Sequence, residues 1–297
     1  MEAVASEHIR MNGVYWGLCC LELLGAPAGA LNRSSLEAWT LSCRTPGGGF
    51  SPAPGHDAHI LSTLSAVQVM ALLGKPLAGA AALATASYVA RLQRGDGSFA
   101  GDTGGVEFDT RFSYAALATC ALLRRSGAVD VDAAAAHVER CANADGGFGS
   151  EPGGESHAGQ AFVCVAALAL SRRLASWPAS PQLAAWLAHR QLPGGGLNGR
   201  PEKAPDVCYS WWVLSSLSAL RRAHWIDGRA LAGFILNAQD GEAGGVADRP
   251  GDAADVFHTF FGVAGLALLN HPAVKPMDPV YALPLHTLAA MGVEPLG

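Results

Sequence analysis

The chain has 297 residues, half of them hydrophobic and 15% charged, with a net charge of −5. That length is enough to bury a large core, and the acidic balance excludes a global basic field for nucleic acid, so any anionic ligand needs a local basic cluster. No run of about 18 apolar residues lacks a glycine, charge or polar break, the N-terminal segment does not have the basic-then-apolar form of a secretion signal, and the seven cysteines are scattered without a CxxC pair. A cytoplasmic protein with reduced thiols and no transmembrane segment is expected.

Taken in chain order, an apolar helical stretch at 14–24 comes first, then a shorter, more polar one at 34–42. The turn Gly48-Gly49-Phe50 leads to an apolar stretch at 63–73 and a more charged one at 78–93. Gly97-Ser98-Phe99 precedes 114–123 and 133–143, and Gly146-Gly147-Phe148 precedes 160–170. Gly195-Gly196-Leu197 precedes 209–220 and 228–239. Gly244-Gly245-Val246 precedes 259–269 and a last stretch at 285–291. The closing residues of these turns, Phe50, Phe99, Phe148, Leu197 and Val246, each lie 49 positions after the one before. A fixed period of this size marks a repeat architecture.

With one more charged stretch implied by the repeat before Gly195-Gly196-Leu197, the stretches fall into two sets of six. One is apolar nearly all round and should be buried; the other carries charge and should face solvent on one side. An all-α α/α toroid, six inner helices enclosed by six outer ones, satisfies both, with residues 1–297 forming a single domain. An open solenoid is the competing arrangement. Closure is expected because the repeat begins on an inner helix and finishes on an outer one, with no polar cap at either side. In such a ring the inner N-termini share one rim, where dipole ends and free N–H groups suit an anion.

The polar residues after each glycine turn should meet at that rim. His157, Asp206 and Asp255 share the 49-residue register. Asp206, Cys208 and His258 offer a carboxylate, a thiolate and an imidazole, a donor set that Zn²⁺ accepts while keeping a fourth position open. The alternative is an N-cap, a core thiol and a satisfied core histidine. Because residues two apart do not share a helix face, Asp206 should lie at or before the first turn. Arg200, Lys203, His157, Tyr209 and Arg111 form a basic cluster that reads either as a diphosphate cradle or as a solvated loop. Asp248 and Asp255 are candidate Mg²⁺ ligands beside a diphosphate; Asp252 and Asp255 read equally as caps or loop ion-pair partners. Trp16, Phe162, Trp212, Phe257 and Phe261 supply an aromatic lining; in a ring the centre must be filled by side chains or hold a ligand.

Several of these segments carry a resemblance. GRPEKAPDVCYSWWVLSSL (199–217) and ADRPGDAADVFHTFFGVAGLALL (247–269) closely resemble the β subunits of zinc-dependent protein prenyltransferases. MNGVYWGL (11–18), DTRFSYAALAT (109–119) and ESHAGQAF (155–162) do so too, so the likeness spans nearly the whole chain. The wording GRPEK, PDVCYSWW and ADRPGD is most similar to the Rab geranylgeranyltransferase branch. The resemblance implies a heterodimer with a helical α subunit, geranylgeranyl diphosphate as donor, and cysteine thiols of Rab GTPases, presented by an escort protein, as acceptors. It implies Asp206, Cys208 and His258 as zinc ligands. It also implies His157, Arg200, Lys203 and Tyr209 at the diphosphate with Arg111 in the site, Asp248 toward Mg²⁺, and Trp212 and Trp16 in the isoprenoid pocket. Asn12 departs from the pattern: it stands where the longer-lipid branch has a small residue and the farnesyl branch a tryptophan. Asparagine leaves room for a geranylgeranyl chain, but its amide then needs a partner.

The rival readings are a farnesyltransferase or type I β subunit, a terpene cyclase, and a non-catalytic binding toroid. A cyclase of this shape needs an acidic DxDD string, and Asp130-Val131-Asp132-Ala133 lacks the last aspartate.

Overall fold

Each glycine turn is where one repeat locks onto the next. In the computed structural model, which describes residues 6–27 and 29–297, Gly48, Gly97, Gly146 and Gly195 all have φ between 86° and 94°. That is left-handed territory open to glycine at little cost. A Cβ on Gly48, Gly97 or Gly195 would collide with the backbone carbonyl of Ala84, Ala133 or Ala230, each in the second helix after the turn. The turn is closed by a short antiparallel bridge, such as Gln93 to Phe99 or Ala142 to Phe148. Phe50, Phe99, Phe148 and Leu197 are completely buried beneath it. Two constraints, an αL backbone and a close approach, therefore enforce the repeat. Gly244 closes the fifth turn in open space.

Among the described residues there are twelve α-helices. The inner set is α1 (Arg10–Leu24), α3 (Ile60–Leu72), α5 (Thr110–Leu122), α7 (Ala158–Leu170), α9 (Tyr209–Ala219) and α11 (Val256–Leu268). The outer set is α2 (Arg33–Ser42), α4 (Gly79–Arg91), α6 (Val131–Arg140), α8 (Ser180–Ala188), α10 (Gly228–Asn237) and α12 (Leu285–Met291). Most inner helices begin two to four residues before the apolar stretch that predicts them. Their first turn faces the polar rim, so hydropathy alone misses it. Helix α3 buries every residue but Leu61, whereas α10 buries only Leu231 and Ile235. That is the contrast expected between a fully enclosed helix and one with a single apolar stripe.

Each inner helix packs on the next, and α11 packs back on α1. The ring is closed, and the open solenoid is ruled out. Among the described residues no helix is long and apolar enough to cross a membrane. All seven cysteines are buried and free of disulfides, as expected.

One end of the ring is stoppered by a feature outside the repeat. After α11, β1 (Met277–Asp278) pairs antiparallel with β2 (Leu283–Pro284). The carbonyls of the tight connection accept hydrogen bonds from three inner helices: Tyr15 to Ala282 at 2.5 Å, Gln68 to Tyr281 at 3.0 Å, and Tyr114 to Val280 at 2.9 Å. Asp278, fully buried, accepts from the amides of Val280, Tyr281 and Leu296 at 2.7–2.9 Å. These bonds satisfy a buried loop that would otherwise be costly.

Candidate active site

The rim residues owe their positions to helix capping. His59, Asp109 and His157 are N-caps of α3, α5 and α7, each accepting from the amide two residues on. Asp255 caps α11 through the amide of His258 at 2.9 Å. Asp206 performs the same service before α9, accepting from the amide of Cys208 at 2.7 Å. It precedes the helix, as its spacing from Cys208 demands, and Cys208 is the N-cap position. The capping reading and the ligand reading of Asp206 are therefore compatible: one carboxylate oxygen binds backbone while the group faces the mouth.

Asp206, Cys208 and His258 converge. One ligand atom from each lies within 4.8 Å of the others, and His258 Nε2 is 3.4 Å from Asp206 Oδ1. A tetrahedral site with metal–ligand bonds of 2.0–2.3 Å has ligand–ligand edges of about 3.3–3.8 Å, so these donors need only a small contraction to hold an ion. His258 Nδ1 is 2.6 Å from Asp255 Oδ2, which fixes the ring and leaves Nε2 toward the cluster. A carboxylate behind the ligating imidazole is the usual supporting arrangement.

The electrostatics follow. Burial disfavours a charged His258, yet its bonds to Asp206 and Asp255 outweigh this and push it up to about 9. Burial would raise Asp206, but donors from His258 and Cys208 hold it below the usual carboxylate range. Burial, and then the adjacent Asp206 carboxylate, push the Cys208 thiol far up. Without a cation the cluster thus holds a proton on sulfur and one on imidazole. A metal ion held by the three side chains would displace both.

Beside the cluster, His157 Nε2 and the Tyr209 hydroxyl are 3.2 Å apart. Burial and the charge of Arg200 lower His157, so its ring is neutral at pH 7. Burial, with Cys208 and Asp206 nearby, pushes Tyr209 up to about 12, so the phenol keeps its proton as a donor. Gly199 permits this pair: any side chain there would collide with the Tyr209 hydroxyl and the His157 ring.

Below the mouth lies a cavity of about 390 Å³, lined by Asn12, Trp16, Arg111, His157 and Trp212 among others. Its wall is a chain of ring contacts, Phe162 to Trp212 at 5.3 Å, Trp212 to Phe261 at 4.4 Å, Phe261 to Phe257 at 4.6 Å and Phe257 to Trp16 at 5.1 Å. Its floor is Tyr15, Gln68 and Tyr114 with Ala282 of the stopper. The amide of Asn12 finds the partner it requires in Ser65 Oγ, at 3.2 Å.

Four of the predicted site residues have other partners or face solvent. Arg200 forms an ion pair with Glu155. Lys203 is exposed, on a turn whose carbonyl accepts from Asn198 at 2.9 Å. Asp248 receives Arg249 at 2.7 and 2.9 Å, and Arg111 lines the cavity while paired with Asp109 at 2.5 Å. Sequence reasoning missed Asp255 as the partner of His258, although the Asp-x-x-His spacing at a helix start signals it. It also missed Gly199 and the entire stopper.

An aromatic cavity beneath a polar rim, inside a closed ring of helices, has the shape to suit an apolar chain with an anionic head. Residues 1–283 match the prenyltransferase alpha-alpha toroid domain. The chain is 52% identical to geranylgeranyl transferase type-2 subunit beta 1 of Arabidopsis thaliana, over 96% of this chain and 87% of that one. It is 47% identical to geranylgeranyl transferase type-2 subunit beta of Saccharomyces cerevisiae, over 94% and 87%. Identity falls to 32%, over 80% and 65%, for a type-1 subunit beta of Arabidopsis thaliana. Among solved structures, Candida albicans protein geranylgeranyltransferase-I complexed with GGPP has the same fold, with a TM-score of 0.82 at 20% identity over 98% of this chain and 93% of that one. The chain belongs to the prenyltransferase α-α toroid family, in its branch of type-2 geranylgeranyl transferase β subunits.

Proposed function

We propose that this chain is the catalytic β subunit of a cytoplasmic Rab geranylgeranyltransferase. Paired with a helical α subunit, it transfers the geranylgeranyl group of geranylgeranyl diphosphate to C-terminal cysteine thiols of Rab GTPases presented by an escort protein. The observation that carries the reading is the convergence of Asp206, Cys208 and His258 at the mouth of an aromatic cavity. The extent of identity to type-2 β subunits supports it.

Asp206, Cys208 and His258 would hold Zn²⁺, which when bound would supply a Lewis acid that lowers the pKa of a substrate thiol. The chain's own residues do the rest. Trp16, Trp212 and the neighbouring phenylalanines bury the isoprenoid and exclude water, and Asn12, tied to Ser65, leaves its upper end open. Tyr209, protonated at pH 7, donates to diphosphate oxygen, with neutral His157 sharing its hydroxyl. Arg200 leaves Glu155 for the diphosphate, and Lys203 and Arg111 approach from either side of the mouth. As sulfur bonds to C1 the C1–O bond breaks, and these donors take up the charge growing on the leaving oxygens. Asp255 keeps His258 oriented throughout. A Mg²⁺ ion at Asp248 requires release of Arg249.

Turnover of a Rab substrate with labelled geranylgeranyl diphosphate, with and without α subunit and escort protein, tests the reading. Preference for farnesyl diphosphate, or wild-type turnover by Cys208→Ser, would overturn it.

A further inference from the structure

The inner helices end at the stoppered side of the ring, and each stops on a residue with left-handed backbone. These are Gly25 (φ 70°), Gly74 (72°), Arg124 (55°), Arg172 (60°), Arg221 (58°) and Asn270 (57°). Glycine and asparagine are the ordinary occupants of such a position; an arginine there is strained. The turn does not need arginine, because Gly25 and Gly74 make it without one. Each of the three arginines is followed by a second: Arg125, Arg173 and Arg222. An acidic chain with 20 lysines and arginines thus gathers six at one rim.

Three of them have work within the fold. Arg124 donates to the carbonyls of Met291 and Gly292 at the end of α12. Arg173 pairs with Asp132 at 2.8 Å and Glu139 at 3.3 Å. Arg222 lies 5.7 Å from the Trp225 ring centroid. Arg172 and Arg221 are exposed, and among the described residues neither guanidinium forms an ion pair or a side-chain hydrogen bond. These two and Arg222 line one groove of about 500 Å³, walled by Leu174, Leu220 and Leu296. Leu296 is itself tied to the stopper through Asp278. The attraction of a helix C-terminus for cations acts anywhere in the last turn. It explains neither the strained backbone nor the shared groove.

We propose that this groove is a second anion site, remote from the mouth, which takes a phosphate-bearing group between Arg172, Arg221 and Arg222. Guanidinium forks pair with phosphate oxygens in this way. The phosphate comes either from a soluble polyphosphate or from a phosphoinositide headgroup, and the groove does not depend on the chemistry proposed for the mouth.

Inorganic triphosphate titrated calorimetrically into the full-length chain should fill two classes of site, at the mouth and in the groove. Arg172→Gly/Arg221→Gly should weaken the groove class at least tenfold and spare the mouth. Arg200→Ala should do the reverse. The glycine variant folds, because Gly25 and Gly74 already make this turn, and its prenyl turnover should match wild type. Sedimentation with phosphatidylcholine vesicles, with and without phosphatidylinositol bisphosphate, separates the sources. Binding that requires the phosphoinositide and disappears in the glycine variant assigns the headgroup; triphosphate binding alone assigns the soluble anion. No triphosphate binding in wild type, or binding that Arg172→Gly/Arg221→Gly leaves unchanged, overturns the proposal.

Discussion

Zinc binding to the metal-free chain should release two protons at pH 7. His258 is raised to about 9, and the Cys208 thiol lies far above its ordinary value. Both therefore carry protons that a metal ion must displace, while Asp206 is already ionised. The sign is fixed by linkage: binding that expels protons strengthens as pH rises. Affinity should climb about a hundredfold per pH unit below the His258 value and about tenfold per unit above it. Calorimetry at pH 7 in buffers of different ionisation enthalpy counts the protons directly. Asp255→Asn removes one of the two carboxylates that hold the imidazolium, so its release count at pH 8 should fall below that of wild type. A count of one or none in wild type, or an affinity flat between pH 6 and 8, would refute the assignment of these three side chains as ligands.

Three further outcomes test the frame around the site. Gly97→Ala places a Cβ against the Ala133 carbonyl at φ 89°, and should cost about 3–5 kcal/mol in chemical denaturation. Gly244→Ala, at φ 79° in open space, should cost only about 1–2 kcal/mol; equal losses would show that the close approach does not matter. Asp278→Ala strands two buried amides and a third part-buried one and should lower stability by about 3–5 kcal/mol, with isoprenoid binding weakened as the floor loosens. Asn12→Trp should fill the cavity beside Ser65 and shift donor competition toward farnesyl diphosphate by tenfold or more, with an unchanged donor ratio as the contrary result.

Much of the ring was legible because its repeat is enforced by backbone chemistry. A glycine at φ near 90° pressed on the second helix after its turn is costly to replace, so the 49-residue spacing is written in the chain. The rim was legible through the shared register of His157, Asp206 and Asp255, since capping side chains must sit at helix starts. The stopper was not. Its anchors, Tyr15, Gln68 and Tyr114, bond to main-chain carbonyls that any sequence would provide. The pairing of Arg200 with Glu155 and of Asp248 with Arg249 was equally hidden. These are choices among surface rotamers, and no periodicity records them.

Closure of α11 onto α1 has a consequence for how the molecule can change size. An open stack gains or loses a unit at either end and remains a stack. Here one unit more or fewer would split the seam and change the bore, so the number of units is quantised. Growth is confined to the loops on the two rims, and the width of the chamber stays constant while its entrances are free to vary.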